Sequence, residues 1–183
     1  MPTAIKIPTG TWTADPAHSS IGFSVKHLGI ATVRGTFGEF EGKIVLDGEL
    51  ADAKITGSAK VASIDTAEPQ RDAHLQSADF FDAEQFPELT FESTSVTEID
   101  EETFEITGDL TMHGVTKPVT LKAVLQGAET DPWGNERVGF EITGQLDRSD
   151  WDMRFNQALG SGNLMVSDRV KLALDISAVK QAA

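Results

Sequence analysis

Apolar and polar residues alternate with a period of two along most of this chain, and this alternation constrains the fold more than any other feature. In the run FEITGDLTM, for example, Phe104, Ile106 and Leu110 alternate with Glu105 and Thr107. Comparable runs lie at 11–14, 20–26, 36–46, 55–62, 89–96, 119–125, 138–146 and 170–176. The pattern predicts roughly eight or nine antiparallel strands, each with one face in water and one face that needs a cover.

Helical periodicity is scarce by comparison. The best candidate is PQRDAHLQSADFF at 69–81, where Pro69 suits a first helical turn and Leu75 and Phe81 share one face. One short helix cannot cover so many strands, so the sheet has to cover itself, as a sandwich or as a barrel. The short connections from residue 89 onward are typical of a meander, which favours the barrel. We therefore predict one all-β domain over 1–183, an antiparallel up-and-down eight-stranded barrel with one short helix around 69–81.

Charge and composition limit the partners and the location. The chain has 15 Lys+Arg against 29 Asp+Glu, a formal net charge of −14, which repels nucleic-acid phosphates and anionic lipid headgroups. The favoured explanation of this acidity is that it serves solubility alone. No run approaches the roughly 18 apolar residues of a transmembrane helix. The start, MPTAIKIPTGTW, lacks a secretory apolar core, so a cytoplasmic location is expected.

Small residues occupy the apolar faces of several predicted strands. Gly57, Ala59, Gly108 and Gly144 all lie at such positions, near the middle of their runs. An eight-stranded barrel with a trimmed interior holds one small ligand. Glycines also mark the bends that curved strands require. The sequence leaves both interpretations open, and with them the question whether the barrel is hollow or filled.

Four motifs resemble those of the YceI-like family. They are DPAHS at 15–19, FSVKH at 23–27, RDAHL at 71–75 and LTMHGVTKPV at 110–119, and the similarity extends from about residue 10 to about residue 178. The resemblance implies a lipocalin-like barrel whose interior binds an apolar chain, typically a polyisoprenoid or a related long-chain lipid or quinone. Many relatives are exported to the periplasm, whereas no export signal is recognised in this chain.

The predicted ligand site combines an apolar lining with a polar mouth. The proposed lining consists of the inward-facing or small residues of several strands and one tryptophan, namely Ile21, Phe23, Val25, Phe37, Gly57, Ala59, Ile106, Gly108, Leu110, Leu121, Phe140, Ile142, Gly144 and Trp151. Arg34, with His18 and His27, is the first choice for contact with a polar head group. Alternatively, His18 locks a turn and Arg34 pairs with a surface acid. Arg148 and Asp150 are predicted to brace a turn.

Three functions remain open at the sequence level. The first is a carrier, storage or sensing protein for a long apolar ligand, and the second is a small-molecule enzyme that uses His18 or His27 for acid–base chemistry. The third is a structural or stress protein with a filled core. The chain has no cysteine and no metal-binding histidine signature, so no metal or other cofactor is expected. His74 and His113 are assigned to structural hydrogen bonds, and a homodimer is a possible assembly.

Overall fold

Strands make up most of the structure, a computed structural model that describes residues 7–157, 159–161 and 164–182. The strands are β1 Gly10–Ala14, β2 Ser20–His27, β3 Ala31–Phe37, β4 Phe40–Leu46, β5 Lys54–Lys60, β6 Ile64–Asp65, β7 Glu88–Glu98, β8 Thr103–Met112, β9 Val115–Thr130, β10 Glu136–Asp147 and β11 Val166–Lys180. The helix α1 spans Pro69–Gln76, and short 3-10 turns lie at Leu50–Asp52, Val61–Ser63 and Arg148–Trp151.

Eight of these strands form a closed antiparallel ring in the order β1-β4-β5-β7-β8-β9-β10-β11, and β11 pairs back with β1. Trp12 in β1 lies opposite Ile44 on one side and opposite Lys180 on the other, so β1 closes the ring. From β4 to β11 the ring follows chain order, apart from β6. The predicted all-β, up-and-down, eight-stranded barrel with one helix is therefore confirmed.

The wall of the barrel branches along β11, because this long strand has two successive neighbours on the same edge. Ala178 pairs with Ala14 of β1, whereas Leu174 pairs with Ile21 of β2. The strand β2 continues the wall to β3, and β3 continues it to the two-residue β6. The pairing of β1 with β4 stops at Lys43, so the wall is interrupted beyond that residue of β4.

Two predicted boundaries are wrong. The single strand expected at 36–46 is divided between β3 and β4, because the chain turns at Gly38, whose amide donates to the Ser63 carbonyl at 3.1 Å. The helix expected to reach residue 81 ends at Gln76. At its end, the amide and the hydroxyl of Ser77 both donate to the His74 carbonyl, and Ser77 has extended backbone angles.

Side-chain hydrogen bonds fix α1 against the barrel. The Glu68 carboxylate accepts from the Arg71 amide at 2.8 Å and caps the first turn. Asp72 Oδ1 accepts from both the amide and the hydroxyl of Thr66, while the Arg71 guanidinium donates to the hydroxyl and the carbonyl of Thr66. Thr66 follows β6 directly and is buried, so the Arg-Asp pair of the RDAHL motif joins the helix to the barrel wall.

An ion-pair network holds the turn between β1 and β2. Arg137 donates from Nε to Asp131 and from a terminal nitrogen to Asp15, both at 2.8 Å, and His18 lies 2.8 Å from the same Asp15 carboxylate. The hydrogen bond from Arg137, followed by that from His18, lowers the pKa of Asp15 from its usual 3.8 to about 2. The pKa of Asp131 falls to about 2 as well, chiefly through its hydrogen bond with Arg137.

We expect this network to contribute to the acid sensitivity of folding. Both carboxylates have folded pKa values below the ordinary 3.8, so their contribution is present above about pH 4 and is lost as the pH falls toward 2. The Arg137→Met variant should melt below the wild type at neutral pH, and the difference should shrink across this acid range. Thermal melts at a series of pH values measure it, and a constant difference would contradict the assignment.

Candidate functional site

An apolar cavity of about 260 Å³ lies inside the barrel. Inward-facing residues of the strands form its wall, among them Ile21, Phe23, Val25, Ile106, Leu110, Leu121, Ile142, Leu172, Leu174 and Ile176, together with Phe91. Alternation along each strand places these side chains inside and the polar neighbours outside. The interior is therefore lined by hydrocarbon and aromatic rings and contains unfilled volume.

One end of the barrel, called here the closed end, is filled by large side chains. Trp12, Val138, Phe140 and Ala178 are each at most 2% exposed there. The rings of Phe104 and Phe140 pack edge to face with centroids 5.7 Å apart. Trp12 Nε1 donates to the Pro8 carbonyl at 3.0 Å, which satisfies its polar group. The closed end therefore forms the floor of the cavity.

The opposite end, called here the helix end, is covered by α1 and the turn that follows it. Leu75 of α1, with Phe80 and Phe81, contributes to the cavity lining. The Phe81 ring packs edge-on against Phe37 of β3 at a centroid distance of 5.9 Å. Phe80 in turn contacts the rings of His74 and Phe155. A cluster of aromatic side chains therefore covers this end.

Arg148 is the charged residue of the cavity lining that is buried, with 5% of its surface exposed. Its guanidinium donates from Nε to the Ser167 carbonyl at 3.0 Å and from its terminal nitrogens to the carbonyls of Met153 at 2.8 Å and Val166 at 3.3 Å. Burial lowers its pKa, and the negative charge of Asp168 acts in the opposite direction. The side chain thus braces the turn, as the sequence predicted, and also lines the cavity.

The tryptophan next to this turn is buried behind the lining. Trp151 is 2% exposed, and its Nε1 donates to the Leu110 carbonyl at 2.8 Å. His113, in the turn between β8 and β9, places Nδ1 2.9 Å from the Trp151 carbonyl oxygen. This contact agrees with the structural role predicted for His113, and it connects the β8–β9 turn to the helix end of the barrel.

Two of the glycines expected to leave room for a ligand leave room for neighbouring side chains. A Cβ at Gly108 would lie 2.4 Å from the Phe91 ring and 2.6 Å from the Glu92 carbonyl oxygen. A Cβ at Gly144 would lie 2.6 Å from Leu121 Cδ2. Phe91 and Leu121 both line the cavity, so these two glycines shape it through their neighbours.

Gly57 does border the cavity. It pairs directly with Gly42 of β4, and a Cβ at Gly57 would have its nearest contact 3.5 Å away, at the Glu41 carbonyl oxygen. A surface depression of about 500 Å³ lies beside this pair and shares part of its wall with the cavity. This side depression is lined by Thr13, Ala14, Pro16 and residues 40–43 and 56–58. It lies where the pairing between β1 and β4 has ended, so the barrel wall is thin there.

A model of the YceI-like domain matches residues 12–178. The chain belongs to the YceI-like family. A UPF0312 protein of Vibrio parahaemolyticus is 40% identical, and the alignment covers 97% of this chain and 94% of that relative. A solved YCEI protein of Campylobacter jejuni is 32% identical, with a TM-score of 0.73 and coverage of 97% of this chain and 100% of its own. The resemblance inferred from the four motifs is confirmed.

A more distant solved relative has the same fold. A polyisoprenoid binding domain from Saccharophagus degradans has a TM-score of 0.72 and 14% sequence identity, covering 93% of this chain and 98% of its own. At this identity the comparison establishes the shared YceI-like barrel alone. The described part of this YceI-like chain contains no helix long and apolar enough to cross a membrane.

Many of the predicted lining residues do meet at the cavity. Those that the structure places in its wall are Ile21, Phe23, Val25, Phe37, Gly57, Ile106, Leu110, Leu121, Phe140 and Ile142. Ala59, Gly108, Gly144 and Trp151 lie outside the lining, because Ala59 is buried against Phe37 and Ile64 and the others support residues that line the cavity.

The predicted polar mouth is not assembled. His18 has 68% of its side chain exposed and pairs with Asp15, which is the turn-locking alternative. Arg34 is exposed on β3, opposite Ser24, and its alternation with Gly35 places it on the outer face. His27 ends β2 and does not line the cavity. The buried polar side chain that does line the cavity is that of Arg148, which the sequence did not predict to lie there.

Proposed function

We propose that this YceI-like protein binds a long apolar ligand, a polyisoprenoid, a quinone-like molecule or another long-chain lipid, inside its barrel. In this role it serves as a carrier, a store or a sensor for that ligand. The observation that carries the proposal is the unfilled apolar cavity of about 260 Å³ between the closed end and the helix end.

The cost of an empty cavity supports this proposal. Cavities left by removal of core side chains destabilise proteins by about 24 cal/mol per Å³, which for this volume corresponds to about 6 kcal/mol. Domains are stable by only about 5–15 kcal/mol in total. Burial of apolar carbons contributes about 0.8 kcal/mol per CH₂, so a tail of about eight methylenes offsets that cost. A bound chain therefore stabilises the barrel itself, because it fills the cavity as its own tail leaves water.

The volume of the cavity favours a single narrow chain. At about 260 Å³ it is slightly smaller than most ligand sites, whose volumes begin at about 300 Å³. The floor at Trp12 blocks the closed end, and flexible side chains such as Met153 and Leu75 border the helix end. A long tail extends by displacing these side chains or through the side depression. The Saccharophagus relative is a polyisoprenoid binding domain, which supports an isoprenoid among the candidate ligands.

Direct loading with lipid tests the proposal. Purified protein, first stripped of lipid, is incubated with a labelled prenyl alcohol or palmitic acid and passed through a gel-filtration column. We expect about one labelled lipid to elute with each chain, because one cavity accommodates one tail. Lipid that elutes entirely apart from the folded protein, for every chain length tried, would contradict the proposal.

The other two functions have less support. The acid–base hypothesis relied on His18 and His27, and neither lines the cavity. The filled-core hypothesis predicts a packed interior, whereas the cavity leaves volume between the strands. Among the described residues no group of three or more His, Cys, Asp or Glu side chains is arranged to hold a metal ion. Lipid binding is therefore the function that the geometry supports best.

A further inference from the structure

The position of Arg148 distinguishes one class of ligand from the others. Arg148 lines the helix end of a cavity whose wall is mainly hydrocarbon, and the Phe80 ring covers its guanidinium with the ring centroid 5.8 Å from the central carbon. Over the part of the chain that the structure describes, Arg148 is the one charged residue classed as buried. A buried cation at the end of an apolar cavity matches an amphiphile with a compact negative head.

The hydrogen bonds of Arg148 leave donors for such a head. A guanidinium carries five N–H groups in a planar fork. Three of its bonds go to backbone carbonyls, those of Met153, Val166 and Ser167. Each of the two terminal nitrogens therefore retains one further N–H beyond these bonds. A carboxylate has two oxygens that accept two parallel N–H bonds of this kind.

The charge of Arg148 also lacks a counter-ion at contact distance. Arg137, Arg154 and Arg169 each form an ion pair with an aspartate, but within the described ranges Arg148 forms none. The acid whose negative charge acts on it is Asp168, whose two oxygens accept from the amide and the hydroxyl of Ser149 at 2.9 and 2.8 Å. Burial of an unpaired cation is costly, so a bound anion would supply the missing counter-ion and reduce that cost.

We propose that the cavity binds a long-chain carboxylic acid, with its tail among the barrel side chains and its carboxylate on the guanidinium of Arg148. This inference rests on the proposed lipid-binding function and specifies its ligand. A diphosphate carries more charge than one cation balances, and a neutral alcohol leaves the charge unpaired. A carboxylate matches both the fork and the single charge.

A matched pair of ligands tests this assignment. Palmitic acid and palmityl alcohol share one tail, so the ratio of their affinities isolates the head group. We expect the wild type to bind the acid at least about tenfold more tightly, a difference of about 1.4 kcal/mol. In Arg148→Gln, affinity for the acid should fall to that for the alcohol, while alcohol binding should change little. Arg148→Lys should retain part of the preference, because it retains the charge.

The control is Arg154→Gln. Arg154 lies six residues after Arg148 in the chain, is exposed and pairs with Asp152. This variant should retain the full preference for the acid. Equal affinities of the wild type for acid and alcohol, or an undiminished preference in Arg148→Gln, would overturn the assignment. Failure of the wild type to bind either ligand would instead count against the proposed function itself.

A second measurement needs no variant at position 148. Palmitic acid labelled at its carboxyl carbon is bound to the wild-type protein, and the NMR shift of that carbon is followed as the pH is lowered. Contact with a guanidinium favours the ionised form, so the bound acid should protonate at a lower pH than ordinary carboxylic acids in water. A bound acid that protonates at or above the ordinary value would overturn the assignment.

Discussion

The Gly57→Leu variant should lose lipid binding and still form a folded barrel. The new side chain would enter the cavity next to the side depression, and its Cβ has no contact closer than 3.5 Å. Four added carbons displace a comparable length of ligand tail, which at about 0.8 kcal/mol per CH₂ costs about 3 kcal/mol, or roughly a hundredfold in affinity. Lipid titration and thermal melts of the same samples measure both effects.

The matched control for this change is Lys54→Leu on the same strand. Lys54 lies three residues before Gly57 on β5 and is exposed, so its side chain points to the opposite face, and it lines neither the cavity nor the side depression. The Lys54→Leu variant should bind lipid as the wild type does. The Gly57→Leu barrel should also melt at a higher temperature without lipid, because it fills part of an empty cavity. Wild-type affinity in a folded Gly57→Leu variant would show that the ligand lies elsewhere.

Gly108→Ala should be among the most destabilising small substitutions in the chain. Its Cβ would lie 2.6 Å from the Glu92 carbonyl oxygen, which belongs to the neighbouring strand and cannot move without disturbing the pairing of β7 with β8. It would also lie 2.4 Å from the Phe91 ring. Overpacking of this kind costs about 1–3 kcal/mol, and the backbone contact places Gly108→Ala at or above the top of that range.

Urea denaturation compares this variant with Gly57→Ala. A Cβ at Gly57 makes only an ordinary contact, so that variant should be as stable as the wild type or slightly more stable. Similar unfolding midpoints for the two alanine variants would contradict the interpretation that Gly108 leaves space for the Phe91 ring. Gly108→Leu would meet the same contacts and destabilise the barrel, so loss of lipid binding in that variant would not show that Gly108 lies next to the ligand.

Much of the fold could be predicted from local patterns. Alternation in runs such as 104–112 and 138–146 gives strands, and short connections between neighbours give a meander, because each step involves residues close in sequence. The branch through β2, β3 and β6 could not be predicted in this way. It depends on the change of partner along β11, between Leu174 and Ala178, which is a long-range pairing.

The lining of the cavity was predicted more successfully than its polar group. Inward positions on strands follow from alternation, and residues such as Phe23, Ile106 and Ile142 do line the cavity. Arg148 was missed because its burial depends on the carbonyls of Val166 and Ser167, which lie 18 and 19 residues along the chain. The local sequence DRSDWDM does not indicate whether its arginine is buried or exposed.

The polar residues of the YceI-like motifs act mainly on the architecture. Asp15 and His18 of DPAHS fix the turn after β1, and Arg71 and Asp72 of RDAHL hold α1 to Thr66. These four side chains lie outside the cavity lining. The cytoplasmic location, the absence of a nucleic-acid partner and the homodimer stay predictions.

Native mass spectrometry of the freshly purified protein tests the central claim most directly. The spectrum is recorded before any lipid is added, and a parallel sample is extracted with solvent so that any released molecule is identified by its mass. We expect a bound species of defined mass at close to one per chain, which on extraction proves to be a long-chain lipid. A spectrum of the protein alone, unchanged after incubation with prenyl and acyl lipids, would contradict the claim that the cavity is a lipid site.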